Sequence, residues 1–319
     1  MKFSPPVEEV KALTARGEYK VAPISCEILS DICTPIEAMQ ILKNVSTHCY
    51  LLESAQANEK WGRYTFLGYD PKMEITCVNG TLRAGDVTLH TDDPSAVLRD
   101  ILARYKSPRL PGLPTFTGGL VGYFSYDYLG YREPKARTDA QDTENFKDVD
   151  LMLFDKVIAF DNLRQKIILI ANMPLDAVQT NYNKATRELQ QMADLLRHGT
   201  KKQEPPGKLL GEFTPLFDRA AYCAMVERAR HHIYEGNIFQ IVLSDRLSAP
   251  FDLYQGDSKY RRGKLSAKNF GMEDNKKLYR CTLHFACDNR TPWQNLYAGA
   301  LAEWLPATFF LSFQKMVVK

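Results

Sequence analysis

The chain has 319 residues, 45% hydrophobic and 25% charged, which excludes a disordered polar chain and leaves room for one large or two ordinary domains. The formal net charge of +3 is spread along the sequence except for one late basic cluster, Lys259 to Lys264, so nucleic acid is not expected as a partner. No apolar run reaches the roughly 20 residues of a membrane helix, and the opening MKFSPPVEEVKA lacks the apolar centre of a signal peptide, so the expected address is the cytoplasm.

Residues 1–18 read as a polar lead with a turn or two of helix, and Tyr19 to Leu29 alternates as a strand does. Thr34, Pro35 and Glu37 then stand at the N-cap, first-turn and capping-box positions of a helix running to about Lys43. His48 to Ser54, HCYLLES, is the next expected strand, and its serine on composition alone caps a turn. Met73 to Val78 and Thr81 to Arg83 flank Asn79 and Gly80, the pair that fills both left-handed positions of a tight hairpin turn. Pro94 opens a helix with an apolar stripe through Val97, Leu98, Ile101, Leu102 and Tyr105 that stops before Pro108.

Residues 115–134, TFTGGLVGYFSYDYLGYREP, set Gly118, Gly119 and Gly122 among aromatic side chains, a pattern that lets a strand bend or lie close to another backbone. The spacing is GGxxG, without the GxGxxG order and following acidic residue of a dinucleotide fold, so nucleotide binding is not expected. Asp150 to Phe160 and Lys166 to Asn172 are two apolar runs joined by DNLRQ and predict a second hairpin. Val178 to His198 is amphipathic through Val178, Tyr182, Ala185, Leu189, Met192, Leu195 and Leu196, and residues 199–212, GTKKQEPPGKLLGE, form a polar linker with paired prolines.

Asp218 then caps a helix with apolar residues Tyr222, Met225, Val226, Ala229 and Ile233, and Gly236 suits its left-handed end. Ile238 to Leu243 follows as a short β-branched run expected to be a buried strand. Gln240 interrupts it, and a buried amide must either brace a neighbouring backbone or face a polar cavity. Residues 253–295 are charged and weakly periodic and predict exposure or disorder. The seven cysteines are odd in number and irregular in spacing, which predicts reduced thiols. Cys281, His284 and Cys287 recur at steps of three, yet no second pair follows at zinc-finger distance, so no metal is expected there.

Several of these stretches carry a resemblance. GNIFQIVLS after its helix, LLES, GRYTFLGYDP and GGLVGYFSYDYLG are similar to segments of anthranilate synthase component I and its chorismate-using relatives, over about Tyr19 to Asp252. The resemblance implies an α+β fold of layered antiparallel sheets with outer helices and an incomplete catalytic half. Residues 1–198 would be the regulatory scaffold, 199–212 a linker, 213–252 the opening of the catalytic domain, and 253–319 a divergent tail from an insertion or frame change. The implied reaction takes chorismate and ammonia to anthranilate and pyruvate, with the ammonia delivered by a glutaminase partner subunit. Relatives that add water tend to carry lysine where this chain has Gln240, so the resemblance puts Gln240 in the wall of the chorismate pocket with ammonia as nucleophile.

In the same family Glu53 and Ser54 belong to the pocket for tryptophan, the end-product inhibitor. Pro306, Ala307 and Thr308 would stand at the positions of a proline, tyrosine and methionine that complete it, two of the three differing. Magnesium is the implied metal. The PxAGTxRG loop, metal-holding glutamates and general acid-base histidine of the family find no counterpart in the sequence, which predicts a chain inactive alone. Aminodeoxychorismate synthesis is the alternative within the enzyme class, and tryptophan sensing or partner docking without catalysis the alternative outside it.

Overall fold

The computed structural model describes residues 1–15, 17–53, 62–136, 146–202, 208–241, 243, 245–252 and 263–266. Strands β1 (Phe3–Ser4), β2 (Val21–Leu29), β3 (Cys49–Leu52), β4 (Tyr64–Tyr69), β5 (Met73–Val78), β6 (Thr81–Ala84), β7 (Val87–His90), β8 (Gly119–Phe124), β9 (Val149–Phe154), β10 (Lys156–Asp161) and β11 (Lys166–Pro174) occupy the first part of the chain. Helices α1 (Val7–Ala15), α2 (Pro35–Val45), α3 (Pro94–Ala103) and α4 (Val178–His198) lie between and after them. The last described elements are β12 (Lys208–Leu209), β13 (Thr214–Pro215), α5 (Arg219–Tyr234), β14 (Leu247–Asp252) and β15 (Gly263–Ser266). The chain divides into two compact units after Gln203.

In the first unit two antiparallel sheets form, ordered β1-β2-β11-β10-β4-β3 and β7-β6-β5-β9-β8. Side-chain alternation along these strands sorts the core into three clusters. One face of the six-stranded sheet, through Ile24, Cys26, Leu67, Ile158, Phe160, Leu169 and Met173, packs under Val10 of α1, Ala38 and Leu42 of α2 and the Leu189–Leu196 face of α4. Its other face, through Tyr50, Val157, Ala159, Ile168 and Ile170, meets Met152 and Phe154 of the five-stranded sheet. That second sheet buries Ile75, Leu82, Leu151 and Leu153 outward against Leu98 and Ile101 of α3. The order is helices, sheet, sheet, helix, the α+β arrangement of antiparallel layers that the sequence led us to expect.

Local signals account for the element ends. Thr34 Oγ1 accepts the Glu37 N–H while the Glu37 carboxylate accepts from the Thr34 N–H, and Pro35 fills the first turn. Asn79 and Gly80 take φ of 48° and 78°, the two left-handed residues of a tight hairpin. Tyr131 clamps that turn, its hydroxyl accepting from the Gly80 N–H at 2.6 Å and donating to Asp148 Oδ2 at 2.7 Å, while Asp148 also accepts from the Asn79 N–H. The aromatic-rich stretch at 126–131 thus fastens the edge of the sheet that α3 covers.

A first expectation is corrected. The run from Asp150 to Phe160 is two strands in two different sheets, β9 pairing with β5 and β8 and β10 with β4 and β11. The chain changes sheets at Asp155, whose carbonyl oxygen accepts from both the backbone N–H and the side-chain amide of Asn172, at 2.9 and 3.0 Å. With both faces of both strands buried, the run carries no periodicity to mark the break. The hairpin through DNLRQ does form, between β10 and β11.

In the second unit Asp218 Oδ1 accepts the Ala221 N–H at 2.7 Å and caps α5, and β14 pairs with β12, β13 and β15. The strand at 263–266 lies inside a stretch expected to be exposed or disordered. The buried strand expected over Ile238 to Leu243 does not form at residues 238–241, which belong to no ladder, and Phe239, Gln240 and Ile241 are exposed, while Leu243 makes an isolated bridge. A strand persists only where neighbouring strands take its backbone N–H and C=O groups, and none of the described strands pairs with residues 238–241.

Candidate functional site

The expected effector residues begin at the end of β3. Register pairs Tyr50 with Gly68 and Leu52 with Phe66, so β3 leads Glu53 toward the end of β4 where Arg63 and Tyr64 enter. Tyr50 and Leu52 point between the sheets, while Cys49 and Leu51 face the helices. Gly68 is required opposite Tyr50, because a Cβ there would sit 2.1 Å from the Tyr50 ring. An aromatic row follows. Tyr50 meets Phe154 edge-on with centroids 4.7 Å apart and Phe116 at 6.4 Å, Phe116 meets Phe66 at 5.6 Å, and Phe66 meets Tyr64 at 5.8 Å.

Arg63 stands over the outer end of this row, its guanidinium carbon 4.8 Å from the Tyr64 ring centre. It is aimed by a two-pronged bond to Asp161, Nε to Oδ1 at 3.0 Å and Nη2 to Oδ2 at 2.6 Å. The Asp161 side chain is fully buried and also accepts the Leu163 and Arg164 N–H groups of the β10–β11 turn. Burial alone would raise its pKa, but the Arg63 bonds and the turn amides outweigh it and hold the carboxyl below its usual range. The Glu53 carboxyl is half-buried, and burial pushes it above its usual range. The paired strands therefore bring an acid, a cation and an aromatic face to the same end of the six-stranded sheet.

Ser54, Pro306, Ala307 and Thr308, the other residues assigned to this pocket by resemblance, lie outside the described residues, as do Cys281, His284 and Cys287. Gln240 is described, and it is exposed in the segment after α5 rather than buried in a strand. Magnesium finds no fit among the described residues, where no group of three or more His, Cys, Asp or Glu side chains could hold a metal ion. No described helix is long and apolar enough to cross a membrane. The described cysteines are all free, Cys26, Cys33, Cys49 and Cys77 buried and Cys223 exposed.

Sequence reasoning did not single out Tyr50, Phe116, Arg63 or Asp161. A strand residue three before a polar end is an ordinary core position by pattern, and the Arg63–Asp161 pair spans 98 positions. Tyr50 has a further feature: its hydroxyl is buried with no hydrogen-bond partner among the described residues. Such an orphan costs about 1 to 3 kcal/mol. Tyr50→Phe is therefore expected to leave the urea midpoint unchanged or raise stability by about 1 kcal/mol. A loss of that size would mean instead that the hydroxyl is satisfied by an ordered water.

Comparison with known proteins supplies the rest. The family model for chorismate binding enzyme matches residues 47–270. Anthranilate synthase component 1 of Acetivibrio thermocellus is 30% identical over 276 residues, covering 79% of this chain and 54% of that protein. The protein of that name from Pseudomonas aeruginosa is 34% identical over 267 residues, covering 78% and 53%. The crystal structure of anthranilate synthase component I from Streptococcus pneumoniae TIGR4 aligns with a TM-score of 0.48 at 28% identity, over 70% of this chain and 48% of that one. The chain spans about half the length of the curated relatives it matches.

Proposed function

Because this chain belongs to the chorismate binding enzyme family, matched across residues 47–270, we propose that it supplies the scaffold and the opening catalytic segment of an anthranilate synthase component I. The reaction takes chorismate and ammonia to anthranilate, pyruvate and water, with ammonia passed from a glutaminase subunit. The observation that carries this reading is the common name of the relatives, at 30% and 34% identity over more than three-quarters of the chain. Gln240 has the role of a neutral amide in the chorismate pocket of the completed domain, where lysine would favour water. Magnesium belongs to that whole enzyme.

Tryptophan is the effector of the reading. The end of β3 and β4 suits a zwitterionic aromatic amino acid by residue type: Glu53 for an ammonium group, Arg63 for a carboxylate and the Tyr64 face for a ring.

The test uses anthranilate fluorescence. The chain alone with chorismate, magnesium and excess ammonium is expected to give no signal above blank. Grafted in place of the matched half of the Pseudomonas aeruginosa protein, residues 1–252 are expected to support synthesis, and Gln240→Lys in that graft to lower it by about a hundredfold, the size of effect a small misplacement at the reacting centre produces. A soluble, folded graft that binds chorismate yet makes no anthranilate sinks the proposal. Calorimetry with tryptophan checks the effector arm, with saturable heat lost in Ser54→Ala.

A further inference from the structure

Asn79–Gly80 is the single Asn-Gly dipeptide of the sequence. The pair carries a chemistry of its own. The glycine amide nitrogen attacks the asparagine side-chain carbonyl carbon, ammonia leaves, and a succinimide ring closes. Water then opens the ring at either carbonyl and leaves aspartate or isoaspartate, so the sum is one water consumed and one ammonia released. Glycine makes the attack easiest because it has no side chain to shield its nitrogen. The turn nevertheless depends on this pair. Both residues hold positive φ, and a Cβ at Gly80 would sit 2.9 Å from His90 Cε1 and 3.1 Å from the Thr91 carbonyl oxygen. Asn79 is exposed to water while Gly80 is buried.

Every polar group of the Gly80 backbone is engaged. Its N–H donates to Tyr131 Oη at 2.6 Å and its carbonyl oxygen accepts from the Thr91 N–H at 2.8 Å. The Asn79 N–H is held by Asp148 Oδ2 at 2.7 Å, the same oxygen that accepts the Tyr131 hydroxyl. Burial and the bond to Asp148 push the Tyr131 phenol above its ordinary range, so it meets the Gly80 N–H as a neutral hydroxyl and not as a phenolate base. Ring closure needs that nitrogen stripped of its proton and swung toward the Asn79 side chain, and both moves break the clamp. We propose that Asn79 is a latent deamidation site, held unreactive by the Tyr131–Asp148 clamp and converted when the β5–β6 turn opens. Conversion then prevents the clamp from closing again: either product sets a second carboxylate beside Asp148, and isoaspartate adds a backbone carbon to a two-residue turn.

The experiment incubates the full chain at mildly alkaline pH, below its thermal midpoint, and follows conversion at Asn79 by peptide mass. The folded chain is expected to convert at least about tenfold more slowly than the chain in urea, because local opening must come first. Tyr131→Phe keeps the ring beside Tyr128 and Cys77 but removes the bond to Gly80. It is expected to raise the folded rate about tenfold, the equivalent of about 1.4 kcal/mol, and to abolish hydrogen-exchange protection of the Gly80 N–H. If circular dichroism shows that variant unfolded, Asp148→Asn decides in its place: it keeps an acceptor of the same shape without the charge, and a rise of about threefold is expected. A folded wild-type chain that converts as fast as the unfolded one, or folded variants no faster than wild type, overturns the proposal. So does a slower Tyr131→Phe, since the hydroxyl would then be the group that takes the Gly80 proton.

Discussion

Gly122→Ala is expected to detach the edge strand β8 and to cost more than about 4 kcal/mol, at the limit of what single substitutions do. Gly122 pairs with Leu151 across the β8–β9 ladder, and its φ of 156° lies where side-chain-bearing residues are rarely found. A Cβ built there would sit 2.0 Å from the Asp150 carbonyl oxygen and 2.8 Å from the Leu151 Cα. Those atoms belong to the backbone of a strand buried on both faces, so neither can move aside without disturbing both sheets. Gly112 is the control, with φ of 82° and open space around the same position, where alanine should cost only the backbone strain of about 1 to 2 kcal/mol. Urea unfolding of the full chain measures both, and equal losses at the two sites would refute the close-approach account.

Arg63→Ala has the second large effect, at about 3 to 5 kcal/mol near neutral pH, because it leaves the fully buried Asp161 carboxylate without its cation. The pH dependence separates this from a general loss of packing. In the wild-type chain the folded pKa of Asp161 lies below its unfolded value, so its contribution is present above the unfolded pKa and lost as pH falls through the folded one. Without Arg63, the bonds and charge that lower the folded pKa are lost while burial still raises it, so the folded pKa moves up. The variant's deficit should then narrow as the solution is acidified through the variant's folded pKa toward that of the wild type. Thermal midpoints between pH 7 and 3 decide it: a deficit that stays constant would show that Arg63 acts through its contact with Tyr64 rather than its charge.

Both effects arise where distant parts of the chain meet, and the expectations that failed share that property. Asp150 to Phe160 looks like one strand because every position except Asp155 and Lys156 is apolar or buried, and the pairing of β9 with β8 and of β10 with β4 divides it. Ile238 to Leu243 looks like a strand by composition, but composition supplies no neighbour, and Gln240 ends exposed. Glu53 drew attention through LLES, by resemblance alone. Arg63 and Asp161 did not, because an ion pair 98 positions apart leaves no mark in local spacing.

The residues by themselves determined the capped helices at Thr34 and Asp218, the Asn79–Gly80 turn, the amphipathic faces of α2, α3 and α4, and the family likeness, since each depends on contacts within a few positions or on residue identity alone. Tertiary structure decided which strands share a sheet and that Tyr50 lies with Phe116 and Phe154 between the layers. The physical reason is range: capping and turn chemistry are satisfied by near neighbours, whereas strand pairing and burial are properties of surfaces that exist only once remote segments have met.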